Sequence, residues 1–207
     1  THDIAKSLQI QKDILALYRQ DISKYSKNGK ERIKDIFDRI PSELNSKNKR
    51  FSLADINLNA RMNRYESSFM WLADAGVTLP CYNVKDLTIP LEANELRNLM
   101  KVFMNDTGLL CAMTIGNIQF DILQGNLEIN MGSIVENLIA QELTCNGFKL
   151  RYFDRKNLGE LDFLIQKHNS LIALEIKSGK DYHRHAALQK ILYNEKGYDV
   201  KLKGTTD

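Results

Sequence analysis

Two alternating apolar runs, Glu160-Leu161-Asp162-Phe163-Leu164-Ile165-Gln166 and Leu171-Ile172-Ala173-Leu174-Glu175-Ile176-Lys177, flank the short polar stretch Lys167-His168-Asn169-Ser170. Period-two alternation on both sides of a brief turn predicts a β-hairpin. With the loop centred on His168-Asn169, facing residues have numbers that sum to 337. Asp162 then lies opposite Glu175, and Glu160 opposite Lys177. Leu161, Phe163 and Ile165 face Ile176, Leu174 and Ile172 on the other side. One face is expected to be apolar, and the other to gather carboxylates and one lysine at a single end.

Carboxylates facing each other about 5 Å apart repel and need an offset. A hard divalent cation supplies one, since magnesium takes oxygen ligands and commonly uses one or two carboxylates. Lys177, on the same face as Glu175, is placed to act on a metal-bound water or a phosphoryl oxygen, an arrangement suited to phosphodiester cleavage. The same residues also describe an ordinary hairpin with a solvated polar face, in which Lys177 only screens its neighbours.

At 207 residues the chain is long enough for one large or two small domains with a proper core. No apolar run approaches the roughly 20 residues of a membrane span, and no secretory leader is read at its start. Cys81, Cys111 and Cys145 lack metal-ligand spacing and read as reduced, buried thiols of a cytoplasmic protein. The net charge of +3 identifies no partner. Its distribution is more informative: residues 24–64 hold eleven basic and five acidic side chains, which describes either a phosphate-attracting surface or the wet side of several helices.

Ile4, Leu8, Leu15, Tyr18, Ile22 and Tyr25 recur at helical spacing and predict a helix over 3–25. Ile33, Ile36, Phe37 and Ile40 mark a second helix, expected to stop near Pro41. Ser52-Leu53-Ala54-Asp55 reads as a capping box. Met62, Tyr65, Phe69 and Leu72 predict a helix ended by Gly76. Strands are expected at 77–84 and 96–103, an irregular helical connector at 107–124, a helix at 132–145 and a strand at 148–154. A helix at 182–193 and a strand at 198–202 complete the reading. Helices followed by a strand pair are the plan of a winged helix, whose recognition helix would be 59–75. Arg61, Arg64 and Ser68 are expected together on its polar face, placed either for nucleic acid or simply for solvent.

A helix bearing Glu136, a strand, a strand with Asp162, a strand with Glu175-Ile176-Lys177 and a helix together resemble the core of the PD-(D/E)XK nuclease superfamily. That resemblance implies magnesium or manganese on Asp162, Glu175 and Glu136, and a catalytic trio of Asp162, Glu175 and Lys177. Leu161 stands where the superfamily's leading proline is often found. Lys180, in Ser178-Gly179-Lys180, either touches phosphate or belongs to a strand-to-helix turn.

The chain as a whole resembles the C-terminal portion of a prokaryotic family of AAA-type ATPases with a nuclease-like end of unknown function. The carrying residues include Ile36-Phe-Asp-Arg-Ile-Pro-Ser42, Asp106-Thr-Gly-Leu-Leu110, Gly132-Ser-Ile-Val-Glu-Asn137, Gln141-Glu-Leu143, Glu160-Leu-Asp-Phe-Leu164 and Glu175-Ile-Lys-Ser-Gly179. No Gly-x4-Gly-Lys-Ser/Thr phosphate loop is present, so no ATP site is expected here.

The expected fold class is therefore α+β, with a helical and winged-helix domain over 1–125 and a restriction-endonuclease-like core over 126–207, expected to be truncated. Three functions follow: a magnesium-dependent, DNA-directed nuclease module, an inactive nuclease-like module that binds or regulates, or a purely structural coupling domain that positions ATPase subunits. The expected partners are DNA, the upstream ATPase domain and a second copy of the chain, with no membrane.

Overall fold

Apolar spacing alone builds the first helices. In the computed structural model, which describes residues 3–25, 29–46, 48–53, 62–115, 124, 131–177 and 189, α1 spans Ile4–Tyr25. Leu8, Leu15 and Ile22, seven apart, are all buried on one face of it. Gly29, at a φ of 116° that a side chain would resist, turns the chain into α2, Lys30–Asn45. Pro41 lies inside α2 rather than ending it. A proline costs one backbone donor, but the next turn buries Glu43 and Leu44, and that packing carries the helix onward. Tyr18 of α1 meets Phe37 of α2 edge to face, with ring centres 6.2 Å apart.

The third helix, α3, covers Met62–Asp74 and buries Tyr65, Ser68, Phe69 and Leu72. Gly76 closes it at φ 70°, and Val77 N–H donates to the Leu72 carbonyl at 3.0 Å. Two antiparallel strands follow, β1 at Thr78–Val84 and β2 at Glu95–Met104, with Thr78 opposite Met104 and Tyr82 opposite Met100. A short helix α4, Thr107–Thr114, is capped by Asp106, whose carboxylate accepts from Leu109 N–H at 2.9 Å. Then come α5 at Gly132–Cys145, β3 at Arg151–Arg155 and β4 at Gly159–Leu161, and finally the hairpin of β5, Phe163–Lys167, and β6, Ser170–Leu174.

The fold is α+β: among the described residues, five helices, a mixed four-strand sheet in the order β2-β1-β3-β4, and the separate β5–β6 hairpin. The strand pair expected as a wing is thus part of a larger sheet. β1 runs parallel to β3, with Tyr82 beside Arg151 and Asn83 beside Tyr152, so the sheet continues across the 125/126 boundary expected from sequence. One buried cluster likewise joins side chains of α1, α2 and α3 to Tyr152 of β3 and Phe163 of β5. The irregular stretch at 116–123, the helix at 182–193 and the strand at 198–202 fall outside the described residues, residue 189 apart.

Polar groups fix α5 to the sheet. Asn137, fully buried, accepts from Met104 N–H at 2.8 Å and donates to the Met104 carbonyl at 3.0 Å and to Thr107 Oγ1 at 2.9 Å. Gln141, one turn on, accepts from Thr107 N–H at 2.9 Å. Asn137 takes the place of a strand neighbour at the end of β2, where backbone groups would otherwise be buried unpaired. Replacing Asn137 with Ala should lower the unfolding free energy in urea by roughly 2 kcal/mol or more, because one side chain satisfies two buried backbone groups and the Thr107 hydroxyl.

Candidate functional site at the mouth of the hairpin

The hairpin has the register read from sequence. Phe163 faces Leu174, Ile165 faces Ile172 and Lys167 faces Ser170, and His168 takes the positive φ of 56° that a tight turn demands. The expected runs are nevertheless shorter. The first is broken at Asp162 into β4, which pairs with β3, and β5, which pairs with β6. The second ends at Leu174. Asp162 Oδ2 accepts from Ile176 N–H at 2.6 Å, so a carboxylate substitutes for a ladder carbonyl where the strands part. The break also sends Leu161 into a second apolar cluster with Phe153, Leu164 and Leu171, away from Phe163, so the hairpin is buried on both faces rather than one.

The carboxylates converge, but on a lysine. Lys101 of β2 is fully buried. Its Nζ lies 2.6 Å from Glu160 Oε1, 2.9 Å from Glu136 Oε1 and 3.9 Å from Asp162 Oδ1. The ring of Tyr152 sits 5.0 Å away, giving the ammonium an aromatic face as well. Lys49 pairs with the other oxygen of Glu136. Burial works against the charge of Lys101, but Glu136, Glu160 and Asp162 outweigh it and hold the ammonium above the ordinary lysine range. Glu160 therefore does not face Lys177. Lys177 instead pairs with Glu175 Oε1 at 2.7 Å, Glu175 being nearly buried and Lys177 about a third exposed at 35%.

Two ammonium groups, Lys49 and Lys101, thus meet three carboxylates, Glu136, Glu160 and Asp162. This setting shifts Asp162. Its carboxyl is pushed up to about 6, first by burial and then by Glu136, while Lys101, the Ile176 N–H and Lys49 pull the other way. The neighbouring Cys81 thiol, directly opposite Lys101 in the β1–β2 ladder, is held far above its ordinary range by burial and is an inert core group.

The carboxylate oxygens that a magnesium ion would use are largely engaged by the chain's own donors. Such an ion needs several free oxygens in near-octahedral array. Here both oxygens of Glu136 face lysines, one Asp162 oxygen is bound to Ile176 N–H, and one Glu175 oxygen is bound to Lys177. Among the described residues no group of three or more His, Cys, Asp or Glu side chains is arranged to hold a metal ion.

Of the residues expected to contact nucleic acid, Arg64 and Ser68 are described, and they lie on different faces of α3. Ser68 is buried, because it lies on the same stripe of α3 as Tyr65, Phe69 and Leu72, and so does not share an exposed face with Arg64. Arg64 is exposed, and its carbonyl accepts from Arg32 Nη1 at 3.1 Å. Arg61 and Lys180 lie outside the described residues. Part of the basic excess over 24–64 is spent internally: Lys49 on Glu136, and Arg32 over the Tyr65 ring at 5.7 Å. Lys101 and Lys49 were not singled out from sequence. Lys101 had one visible signal, a single charge in the otherwise apolar strand run Leu99-Met100-Lys101-Val102-Phe103-Met104.

This chain belongs to a family described as Domain of unknown function (DUF8612), whose model matches residues 1–119, more than half of the chain. Residues 131–204 match a second model, Domain of unknown function (DUF4143), a domain commonly found C-terminal to AAA-type ATPases in prokaryotes. No curated protein and no solved structure matches the chain. Among the described residues, no helix is long and apolar enough to cross a membrane.

Replacing Lys101 with Met should cost about 3–5 kcal/mol of stability in urea denaturation, since it leaves buried carboxylates without their cation. Adding Glu136→Gln should recover part of that loss. Because the folded-state pKa of Asp162 is raised, the native state binds a proton that the unfolded chain has released between about pH 4 and 6. This contribution to stability is present below pH 4 and lost as pH rises through 6. Asp162→Asn should flatten the stability–pH profile over that window relative to the parent.

Proposed function

We propose that the chain is a non-hydrolytic coupling module of an AAA-type ATPase, with a nuclease-like hairpin whose acidic residues serve structure and communication rather than bond cleavage. One observation carries this reading. The position between Glu136, Glu160 and Asp162 is taken by the buried ammonium of Lys101. Both lysines of the cluster come from the 1–119 region, and all three carboxylates come from the 131–204 region. A charge cluster divided in this way is expensive to separate, because each half would keep buried charge without a counter-ion. Movement imposed on one region by an ATPase is then transmitted to the other. The partner on this reading is the ATPase domain.

A metal-dependent DNA nuclease is the second reading. It is favoured by the closeness of these residues beyond the hairpin end, where Asp162 Oδ2 accepts from Ile176 N–H and Lys177 pairs with Glu175. Asp162 and Glu175 would then hold the ion, which would activate the attacking water, and Lys177 would steady the phosphoryl oxygens.

Incubation of the chain with plasmid, single-stranded and branched DNA in magnesium or manganese separates the two. The coupling reading predicts no cutting, and no rise in melting temperature with millimolar metal. Cutting that disappears in both Asp162→Ala and Lys177→Ala would replace it with the nuclease reading.

A further inference from the structure

The first helix is apolar on two opposite sides. Leu8, Leu15 and Ile22 belong to the core, and Ile10 and Leu17, two residues further along, lie roughly 200° away round the helix. Ile10 is 48% and Leu17 56% exposed. Ile14, one turn after Ile10, is half-buried against the core and forms the shoulder of this outer face. One apolar stripe is satisfied by one packing partner, and a second stripe on the far side of the helix calls for another.

The outer stripe ends in charges of opposite sign. Asp3, Ile10, Leu17 and Lys24 are each seven residues apart, close to two full turns, and so fall on one line along α1. Asp3 and Lys24 are exposed, and each already has a contact within its own helix. Asp3 Oδ1 accepts from Lys6 N–H at 3.0 Å, and Lys24 Nζ lies 3.6 Å from Asp21 Oδ1. A carboxylate accepts through two oxygens and an ammonium donates three hydrogens, so neither contact has to break when a second partner arrives.

We propose that α1 packs antiparallel against α1 of a second copy of this chain. Read in reverse, the line is its own complement. Asp3 meets Lys24 of the second copy and Ile10 meets its Leu17, and each pairing occurs twice about a two-fold axis. A parallel arrangement sets Asp3 beside Asp3 and Lys24 beside Lys24, which the like charges oppose. A membrane surface or a nucleic acid selects a face of basic charge, whereas this line carries both signs. From Asp3 to Lys24 the line runs about 30 Å. A helix pair of that length lies at the lower end of interface sizes, so the association is reversible and in the micromolar range. The inference is independent of the coupling reading, since the outer face of α1 shares no residue with the Lys101 cluster.

The test is sedimentation of the 207-residue chain from about 5 to about 500 µM. The mean mass should rise with concentration from the 23.8 kDa of one chain towards twice that value. Leu17→Glu, an exposed change checked for retained fold by circular dichroism, should weaken association about tenfold or more. Lys24→Glu should also weaken it by setting Glu against Asp3, and adding Asp3→Lys to Lys24→Glu should restore it. Three results would overturn the proposal: a mass that stays at one chain throughout, association unchanged in Leu17→Glu, or no recovery in the double charge exchange. A chain that stays monomeric but binds an AAA-type ATPase domain in a Leu17-dependent manner would also overturn it, and would assign the face to that domain.

Discussion

The charge on Lys101 sets the conditions for everything around it. A buried ammonium is costly unless oxygens surround it closely, and here the oxygens come from α5, β4 and the residue that follows β4. These elements are therefore constrained to meet at one point on β2. The break of the strand at Asp162 is part of the same solution. A straight strand from 160 to 166 would pair along one partner, whereas the break lets Glu160 stay on β4 beside β3 while Asp162 turns to the hairpin end and takes the Ile176 N–H. The cluster sets three carboxylates against two ammonium groups, and burial followed by Glu136 raises the Asp162 carboxyl.

Around this point, neutral hydrogen bonds give the geometry its precision. Asn137 and Gln141 tie α5 to the β2–α4 junction, and Asp106 caps α4 beside them. The segments Asp106–Leu110 and Gly132–Asn137, which carried the resemblance to ATPase-associated proteins, thus act as the joint that holds Glu136 against Lys101. Their chemistry is architectural. It joins the two family regions through a continuous sheet, a common core and a charge cluster to which each region contributes one sign.

Much of the fold was legible in the sequence because helix and hairpin periodicities are local. Leu8, Leu15 and Ile22 announce the buried face of α1, and the tight His168-Asn169 turn sets every pairing of β5 with β6. What was not legible depends on contacts between distant segments. Pro41 is a stop signal on its own, but buried packing at Leu44 overrides it. Ser68 reads as polar, yet the stripe of Tyr65, Phe69 and Leu72 takes it inside. Residue type and order single out Asp162, Glu175, Lys177 and Glu136, of which Glu136 and Asp162 meet at Lys101 while Glu175 and Lys177 pair with each other. Lys49 and Lys101 are not singled out in this way, because they lie 87 and 35 residues from Glu136 and only the closed sheet brings them to it.

The most direct test is a crystal structure of the chain grown with manganese, with anomalous scattering recorded for the metal. The account predicts Lys101 Nζ within hydrogen-bonding distance of both Glu136 and Glu160, and no anomalous peak among the carboxylates. A manganese peak between Asp162 and Glu175, with Lys101 withdrawn from Glu136, would contradict it.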